Sequence, residues 1–125
     1  MNVVDSSGWL EYFADGSNAA FFARAVQKVD ELIVPTLSLY EVFKRVLQQR
    51  DEGAALRAVA MMQQGTGVAL TAPLALSAAK LSVEARLPMA DSIILATARA
   101  YRATLWTQDS DFKGMEGVRY IPASV

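Results

Sequence analysis

Short apolar segments alternate with helical patterns along the whole chain. Five segments have the length and apolar character of buried strands, the third being the weakest: 2–5, 32–35, 68–71, 104–107 and 118–121. Apolar residues recur at helical spacing between them, most clearly over 90–101. Strands separated by helices are joined by crossover connections, which produce a parallel sheet covered on both faces. This order of segments predicts an α/β fold with a central, mainly parallel sheet of four to five strands.

Residues typical of helix ends separate these segments. Ser6 or Ser7 is expected to cap a short helical segment at 9–13. Gly65 is expected to end a helix over 53–64 as its C-cap. Both assignments place the helix ends in polar or glycine-containing stretches between apolar runs.

The length and composition predict one globular domain covering residues 1–125. A chain of 125 residues can bury a sizeable core without disulfides, and 53% hydrophobic with 20% charged residues is a folded balance. No uncharged apolar run is long enough to cross a membrane, and no secretory signal stands at the N-terminus. A cytoplasmic location is therefore expected.

The chain contains no cysteine and no histidine. This excludes a thiol nucleophile, a serine–histidine–aspartate triad and a histidine general base. Zinc is disfavoured because its protein sites are built mainly from those two residue types. Any catalytic metal must therefore be held by carboxylates and other oxygen ligands, which favours Mg²⁺ or Mn²⁺.

Four carboxylates stand where predicted strands end or predicted helices begin. Asp5 ends the first strand, and Asp109 lies two residues beyond strand-ending Thr107. Glu41 and Asp91 lie in or near the first turns of their helices. Because ligands bind beyond the carboxyl ends of parallel strands, these side chains are expected to gather at one sheet edge. A divalent cation would offset their mutual repulsion and could activate a water for phosphodiester hydrolysis.

These acidic residues also have structural interpretations. Ser38 and Glu41 have the spacing of a capping box, with Ser38 as the N-cap. Asp91 in a first helical turn is favoured by the helix dipole. Asp109 and Asp111 are typical turn residues. Each carboxylate alone is a weak indication of a site, and the shared strand-end placement strengthens it.

Four motifs carry a family resemblance. They are Val-Val-Asp-Ser-Ser at 3–7, Pro-Thr-Leu-Ser-Leu-Tyr-Glu-Val at 35–42, Met-Ala-Asp-Ser-Ile-Ile-Leu-Ala-Thr-Ala-Arg-Ala at 89–100 and Leu-Trp-Thr-Gln-Asp-Ser-Asp-Phe at 105–112. In this order and over nearly the whole chain, they resemble the PIN-domain family and, within it, the toxin ribonucleases called VapC. The resemblance carries the family's site residues onto Asp5, Glu41, Asp91, Asp109 and the neighbouring hydroxyl of Thr107, and onto Asp111 at a more variable position.

The resemblance implies a three-layer α/β/α fold and an endoribonuclease that cleaves single-stranded RNA. It implies Mg²⁺ or Mn²⁺ held by Asp5, Asp91 and Asp109. Glu41 would help to hold the ion or orient the attacking water, and Thr107 would support the carboxylates. The hypothetical mechanism is in-line attack of a metal-activated water on an RNA phosphodiester. The resemblance also implies a homodimer and a cognate antitoxin protein that inhibits it.

Partners must be recognised locally, because the net charge is only −1. The candidates for phosphate contacts are Arg24, Lys28, Lys44, Arg45, Arg99 and Arg102. Aromatic residues concentrate near the N-terminus: Trp9, Tyr12, Phe13, Phe21 and Phe22. Two or three of these are expected in the core, and the rest are expected to line a groove for an antitoxin helix.

The chain departs from the family pattern before the fourth strand. Family members often carry glycine between the helix over 90–101 and that strand, whereas this chain has Tyr-Arg-Ala-Thr at 101–104. The substitution removes an easy left-handed helix cap and touches no acidic position.

Two other functions remain open at the level of sequence. A phosphatase of the haloacid-dehalogenase type also has an aspartate at the end of its first strand. Such enzymes usually need a second aspartate two residues later, where this chain has Ser7. A catalytically silent PIN-like module that binds RNA or protein would have the same fold, although the intact acidic set argues against it.

Overall fold

The computed structural model describes residues 1–124, which form five strands, six α-helices and two short 3₁₀ turns. The strands are β1 (Asn2–Val4), β2 (Ile33–Pro35), β3 (Thr66–Val68), β4 (Thr104–Thr107) and β5 (Val118–Tyr120). The helices are α1 (Ser6–Phe13), α2 (Ala19–Val26), α3 (Thr36–Gln49), α4 (Glu52–Met62), α5 (Ala72–Ala85) and α6 (Met89–Ala100). The 3₁₀ turns are Val29–Glu31 and Ser110–Phe112. None of the described helices combines the length and apolar character needed to span a bilayer.

All five strands are parallel and lie in the order β3-β2-β1-β4-β5. β1 pairs with β4 and β4 with β5, while β2 pairs with β3. A parallel bridge between Asn2 and Leu32 joins the two groups. The strand order reverses at β1, so the carboxyl ends of β1 and β4 border the crevice where such sheets bind ligands. The predicted parallel sheet of four to five strands is confirmed.

β3 begins two residues earlier than the predicted segment at 68–71. The N–H of Thr66 donates to the carbonyl of Leu32 at 2.8 Å. A Cβ on Gly65 would lie 2.9 Å from that carbonyl, so only glycine permits this close approach. Gly65 therefore serves strand pairing. The prediction that it caps α4 is wrong, because that helix ends at Met62.

Alternate strand residues enter two cores, one on each face of the sheet. The core against α1 to α4 includes Val4, Trp9, Phe22, Val42 and Trp106. The core against α5 and α6 includes Val3, Ile94, Leu95 and Leu105. The three-layer architecture is thereby confirmed. Trp9 and Phe22 are buried in the first core, so Trp9 does not line a surface groove, whereas the other three early aromatics are only partly buried.

The start of α1 differs from the prediction. Asp5, and not Ser6 or Ser7, is the N-cap, because its carboxylate accepts the N–H of Gly8 at 2.9 Å. A carboxylate at this position satisfies a free amide and also suits the positive end of the helix dipole. The helix consequently begins at the first serine and includes both.

The predicted capping box at the start of α3 is wrong. Pro35 ends β2 in an extended conformation, and the helix begins at the next residue, Thr36. Ser38 therefore lies inside the helix and is fully buried. Glu41 therefore does not form the capping box with Ser38 that its spacing suggests.

Candidate active site

Strand ends and helix starts bring acidic side chains to one edge of the sheet. Asp5 directly follows β1, and Asp109 follows β4 by two residues. Asp91 lies in the first turn of α6, and Asp111 lies in the 3₁₀ turn after β4. Because β1 and β4 pair in parallel, their carboxyl ends lie side by side. This is the edge at which the sequence predicts a site.

Three of these carboxylates form one tight group, called here the carboxylate group. One oxygen each from Asp91, Asp109 and Asp111 lies within 4.8 Å of the other two. Asp111 is exposed and the other two are partly exposed, so the group opens to solvent. The N–H of Asp111 donates to Oδ1 of Asp109 at 2.9 Å. Asp111 is thus a full member of the group, although it matches only a variable family position.

Asp5 is buried beside this group, with 4% of its surface exposed. Its Oδ1 accepts hydrogen bonds from the N–H of Gly8 at 2.9 Å and the hydroxyl of Ser7 at 2.8 Å. Its Oδ2 accepts one from the hydroxyl of Thr107 at 2.6 Å. Burial raises the pKa of Asp5 from 3.8 to about 6, and the charge on Asp109 acts in the same direction against the three hydrogen bonds.

Thr107 connects Asp5 to the segment that carries Asp109. Its hydroxyl donates to Oδ2 of Asp5 and accepts the N–H of Asp109 at 2.9 Å. The side chain is fully buried, so water cannot replace either hydrogen bond. An amide N–H can only donate, so the hydroxyl accepts from Asp109 and keeps its own hydrogen for the bond to Asp5. These contacts give the predicted supporting role of Thr107 a geometric basis.

Asp91 lies in an environment that disfavours its charged form. Burial raises its pKa from 3.8 to about 7, and the charges on Asp109, Asp111 and Asp5 raise it as well. A hydrogen bond with Asp111 also favours the protonated form of Asp91. The carboxylates therefore repel one another when all are ionised.

The donor set fits a hard divalent cation. All three groups offer carboxylate oxygens, which Mg²⁺ and Mn²⁺ prefer. Oxygens that share one Mg²⁺ at about 2.1 Å lie at most about 4.2 Å apart. The observed limit of 4.8 Å is close to this value, so small rotations of partly exposed side chains would bring the oxygens into range. A cation there would also remove the repulsion that raises the pKa of Asp91.

Glu41 lies outside the carboxylate group and is hydrogen-bonded to Ser6, the residue that follows Asp5. The hydroxyl of Ser6 donates to Oε1 of Glu41 at 2.6 Å. Ser6 is next to Asp5 in the chain, and Ser7 donates to Asp5. Both serines thus bond to acidic site residues. The signal that could have indicated this is the Asp-Ser-Ser sequence at a strand end, because short hydroxyl side chains bond to nearby polar groups.

Asn18 makes contacts beside the site that were not predicted. Its side-chain amide donates to Oε1 of Gln108 and to the carbonyl of Pro122, both at 2.9 Å. Gln108 directly precedes Asp109, so these bonds tie the acidic loop to the start of α2. No local pattern reveals them, because the bonded residues are 90 and 104 positions apart.

Comparison with known proteins identifies the family. The family model of the PIN domain matches residues 3–118. The chain belongs to the PIN-domain family. The resemblance carried by the four sequence motifs is therefore confirmed, and the PIN assignment argues against a haloacid-dehalogenase-type phosphatase. No curated protein matches the chain significantly.

Solved structures share this PIN fold over nearly the whole chain. A toxin–antitoxin complex from Klebsiella pneumoniae has a TM-score of 0.83 at 21% identity, covering 100% of both chains. A VapC toxin of Mycobacterium tuberculosis that cleaves the sarcin–ricin loop has 0.76 at 18% identity, covering 93% of this chain and 95% of its own. VapBC of Rickettsia felis, bound to promoter DNA, has 0.74 at 13% identity, with 97% of each chain covered. At these identities the likeness shows the fold.

Proposed function

We propose that this PIN-domain protein is a metal-dependent endoribonuclease. The observation that carries the proposal is the carboxylate group at the carboxyl edge of the sheet, with buried Asp5 beside it. Convergent carboxylates are unfavourable without a cation, which supports Mg²⁺ or Mn²⁺ as the cofactor. RNA as the substrate is supported by the similar fold of the Mycobacterium tuberculosis toxin that cleaves the sarcin–ricin loop.

The site residues have distinct roles in this proposal. Asp91 and Asp109 would hold the cation, with Asp111 as a further ligand and Asp5 contributing from its buried position. A cation bound there supplies a lowered water pKa and neutralises charge on the phosphate oxygens. Glu41 is partly exposed outside the carboxylate group, where it would help to hold the ion or orient the attacking water. Thr107 holds Asp5 and the loop of Asp109 in place.

We further propose that the chain is the toxin of a toxin–antitoxin pair and acts as a cytoplasmic homodimer. The similarity to the toxin–antitoxin complex from Klebsiella pneumoniae supports a cognate antitoxin as partner. Phe13 lines an open cleft between α1, α3 and α4, together with Leu10 and Met61. This mainly apolar cleft, which Gln49 and Arg50 also line, suits one face of an amphipathic antitoxin helix. Phe13→Ala should weaken copurification of the co-expressed antitoxin.

Mapping of new RNA 5′ ends across the transcriptome after brief induction tests the ribonuclease proposal. The proteins to compare are wild type, Asp5→Asn and Asp91→Asn. Asp30→Asn is the matched control, because Asp30 is exposed in the Val29–Glu31 turn. New ends at one or a few sites are expected for wild type and the control only. Identical maps for all four proteins would contradict the proposal.

Two further measurements separate the remaining functions. Mg²⁺ binding without any RNA turnover would indicate a silent PIN-like module. Release of phosphate from a small generic phosphomonoester, lost in Asp5→Asn, would indicate a phosphatase. Each outcome identifies a different function for the same acidic residues.

A further inference from the structure

The indole of Trp106 is a fixed platform in β4. The residue is only 4% exposed. Its ring N–H donates to Oδ1 of Asn2 at 2.8 Å. The ring also packs against Phe21, with the ring centroids 5.0 Å apart. A hydrogen bond at one end and an aromatic contact on the ring hold the indole in one orientation.

Two exposed arginines lie within cation–π distance of this ring. The guanidinium carbon of Arg119 lies 4.6 Å from the ring centroid, and that of Arg24 lies 5.6 Å from it. Arg119 stands opposite Trp106 in the register of β5, and Arg24 belongs to α2. The ring attracts each guanidinium electrostatically and thereby restrains its position. Both residues nevertheless remain exposed to solvent.

The two positive charges share one aromatic ring and, among the described residues, have no carboxylate at ion-pair distance. Since both carbons are measured from one centroid, they lie no more than about 10 Å apart. Within residues 1–124, neither guanidinium forms an ion pair with a carboxylate. The side chains are already oriented, so an anion that binds them loses less conformational entropy in ordering them. We call Arg24 and Arg119 the arginine pair.

The arginine pair lies beside the strand that leads into the candidate active site. Trp106 directly precedes Thr107, and successive side chains of a strand point to opposite faces of the sheet. β5 is the outermost strand on this side of the sheet. Arg119 stands one residue before the end of β5, as Trp106 does in β4, so a flexible polyanion that lies over the carboxyl edge passes near the arginine pair.

We propose that Arg24 and Arg119 form a phosphate-anchoring site for the RNA strand whose cleaved bond lies at the carboxylate group. This inference rests on the proposed ribonuclease function. A guanidinium binds phosphate through two parallel hydrogen bonds, and phosphate contacts fix the register of a nucleic acid strand. The net charge of −1 and the acidic site give RNA no general attraction, so a local pair of cations supplies it.

An acidic segment of a partner protein is the other polyanion that could use the arginine pair. RNA is favoured because the pair adjoins the strand that carries Thr107 and leads to Asp109. Two cations on one ring also suit a backbone that carries a phosphate at every nucleotide. Arg24 is among the residues that the sequence offers as phosphate contacts, whereas Arg119 is not.

The test measures binding of a fluorescein-labelled, mixed-sequence single-stranded oligoribonucleotide by anisotropy over a series of salt concentrations. All proteins carry Asp91→Asn, which is expected to prevent turnover. The variants are Arg24→Gln, Arg119→Gln and the double substitution. Arg57→Gln is the matched control, because it removes the same charge from an exposed position on α4.

Each lost phosphate contact should lower the slope of log affinity against log salt by about 0.7 for single-stranded RNA. The double variant should lose about 1.4 in slope and bind roughly tenfold or more weakly at physiological salt. Arg57→Gln should bind as its parent does. Circular dichroism checks folding. If the double variant does not fold, the single variants carry the test, since each keeps one arginine on Trp106.

The proposal would be overturned if the folded single variants had the same slope of log affinity against log salt as the Asp91→Asn parent. It would also be overturned if Arg57→Gln lost as much slope as the arginine-pair variants. Loss of a copurifying protein partner with unchanged RNA affinity would overturn it in favour of a protein ligand. Each of these results concerns binding alone and does not depend on cleavage.

A cleavage assay with Asp91 restored separates this proposal from the ribonuclease proposal. The substrate is the RNA identified by 5′-end mapping, and the arginine variants should raise KM with little change in kcat, because the anchor lies away from the reacting phosphate. If wild type cleaves no RNA but binding depends on the arginine pair, the ribonuclease function fails and the anchor stands. If the arginine variants cleave and bind RNA as wild type does, the phosphate-anchoring proposal fails and the ribonuclease function stands.

Discussion

Thr107 donates a 2.6 Å hydrogen bond to the buried carboxylate of Asp5, although the two residues are 102 positions apart. The same hydroxyl accepts the N–H of Asp109 at 2.9 Å. The ends of β1 and β4 are therefore connected by one side chain at the point where the acidic residues converge. Among the hydrogen bonds that lower the pKa of Asp5, the one from Thr107 has the largest effect.

Replacing this hydroxyl should damage both stability and cleavage. Thr107→Val keeps the shape of the side chain but leaves Oδ2 of Asp5 and the N–H of Asp109 without their partner. We expect a loss of about 1–3 kcal/mol in the free energy of unfolding, measured with urea. Cleavage should fall roughly 10- to 100-fold, as is usual for groups that orient metal-binding residues.

Thr107→Ser is the matched control for that variant. It retains the hydroxyl and loses only a methyl group, so cleavage should stay near that of wild type. Equal activity of the valine and serine variants would show that the hydrogen bonds of Thr107 are dispensable.

Gly8 should tolerate no side chain. A Cβ at this position would lie 2.6 Å from the ring of Phe22 and 2.7 Å from Val4, and both residues are fully buried. Gly8→Ala must therefore displace α1, in which the N–H of Gly8 itself donates to Asp5. We expect a loss of about 1–3 kcal/mol in the free energy of unfolding, the usual range for overpacking a core.

Gly53→Ala provides the comparison for Gly8→Ala. Gly53 lies in α4, and the nearest atoms to its added Cβ are side-chain atoms of Arg57 and Asp51 at 3.4 Å. Alanine should be neutral there or stabilise by up to about 1 kcal/mol. Similar losses in the two variants would mean that contact with Phe22 and Val4 does not explain the effect.

The metal-free protein should become less stable as pH rises. Folding raises the pKa of Asp5 to about 6 and that of Asp91 to about 7, from an unfolded value of 3.8. The folded state thus binds these protons more tightly, and the stability they contribute is present below about pH 4 and lost as pH rises through 6 to 7. For buried Asp5 this amounts to roughly 3 kcal/mol at most.

Thermal unfolding in EDTA and in saturating Mg²⁺ checks this expectation at pH 5 and pH 8. Mg²⁺ should raise Tm more at pH 8, because ionised carboxylates bind the cation and protonated ones do not. In Asp91→Asn the pH dependence in EDTA should be weaker, since one repelling carboxylate has been removed. The Tm difference between wild type and Asp91→Asn in EDTA should therefore change between pH 5 and pH 8. The same difference at both pH values would contradict the raised pKa of Asp91.

The sheet could be predicted where the strands are apolar and uninterrupted. Thr104–Thr107 was predicted residue for residue, because three of its four side chains are buried and the run has clear ends. The predicted segment for β3 begins two residues too late. Only Val68 of this strand is buried, so the strand has no apolar pattern that marks its start. Its position depends on pairing with β2, which is a contact between distant segments.

The convergence of acidic side chains was predictable for the same local reason, and the contacts that support them were not. Asp5 and Asp109 follow strands that can be recognised from sequence, so their common edge follows from parallel topology. The bond from Ser6 to Glu41 joins residues 35 positions apart. Such a pairing depends on how helices pack on the sheet, and periodicity carries no information about it.

Replacing Arg102 with glycine should stabilise the protein. The N–H of Ala103 donates to the carbonyl of Ala98, and that of Arg102 donates to the carbonyl of Arg99, which together form a Schellman motif at the end of α6. Arg102 takes the left-handed position of this motif, with φ at 53°. This is the place where the family often has glycine, so the fold keeps the motif and accepts the strain of a side chain. Arg102→Gly should raise the free energy of unfolding by up to about 1 kcal/mol, after the entropy that glycine gains in the unfolded chain.

Arg99→Gly tests whether the gain comes from backbone conformation. Arg99 is exposed in the last turn of α6 and has a helical backbone, so glycine there should cost about 1 kcal/mol. The two substitutions remove the same side chain from neighbouring exposed positions, and urea unfolding should show opposite signs. A loss of stability in both would mean that the side chain of Arg102 contributes more through its contacts than its strained backbone costs.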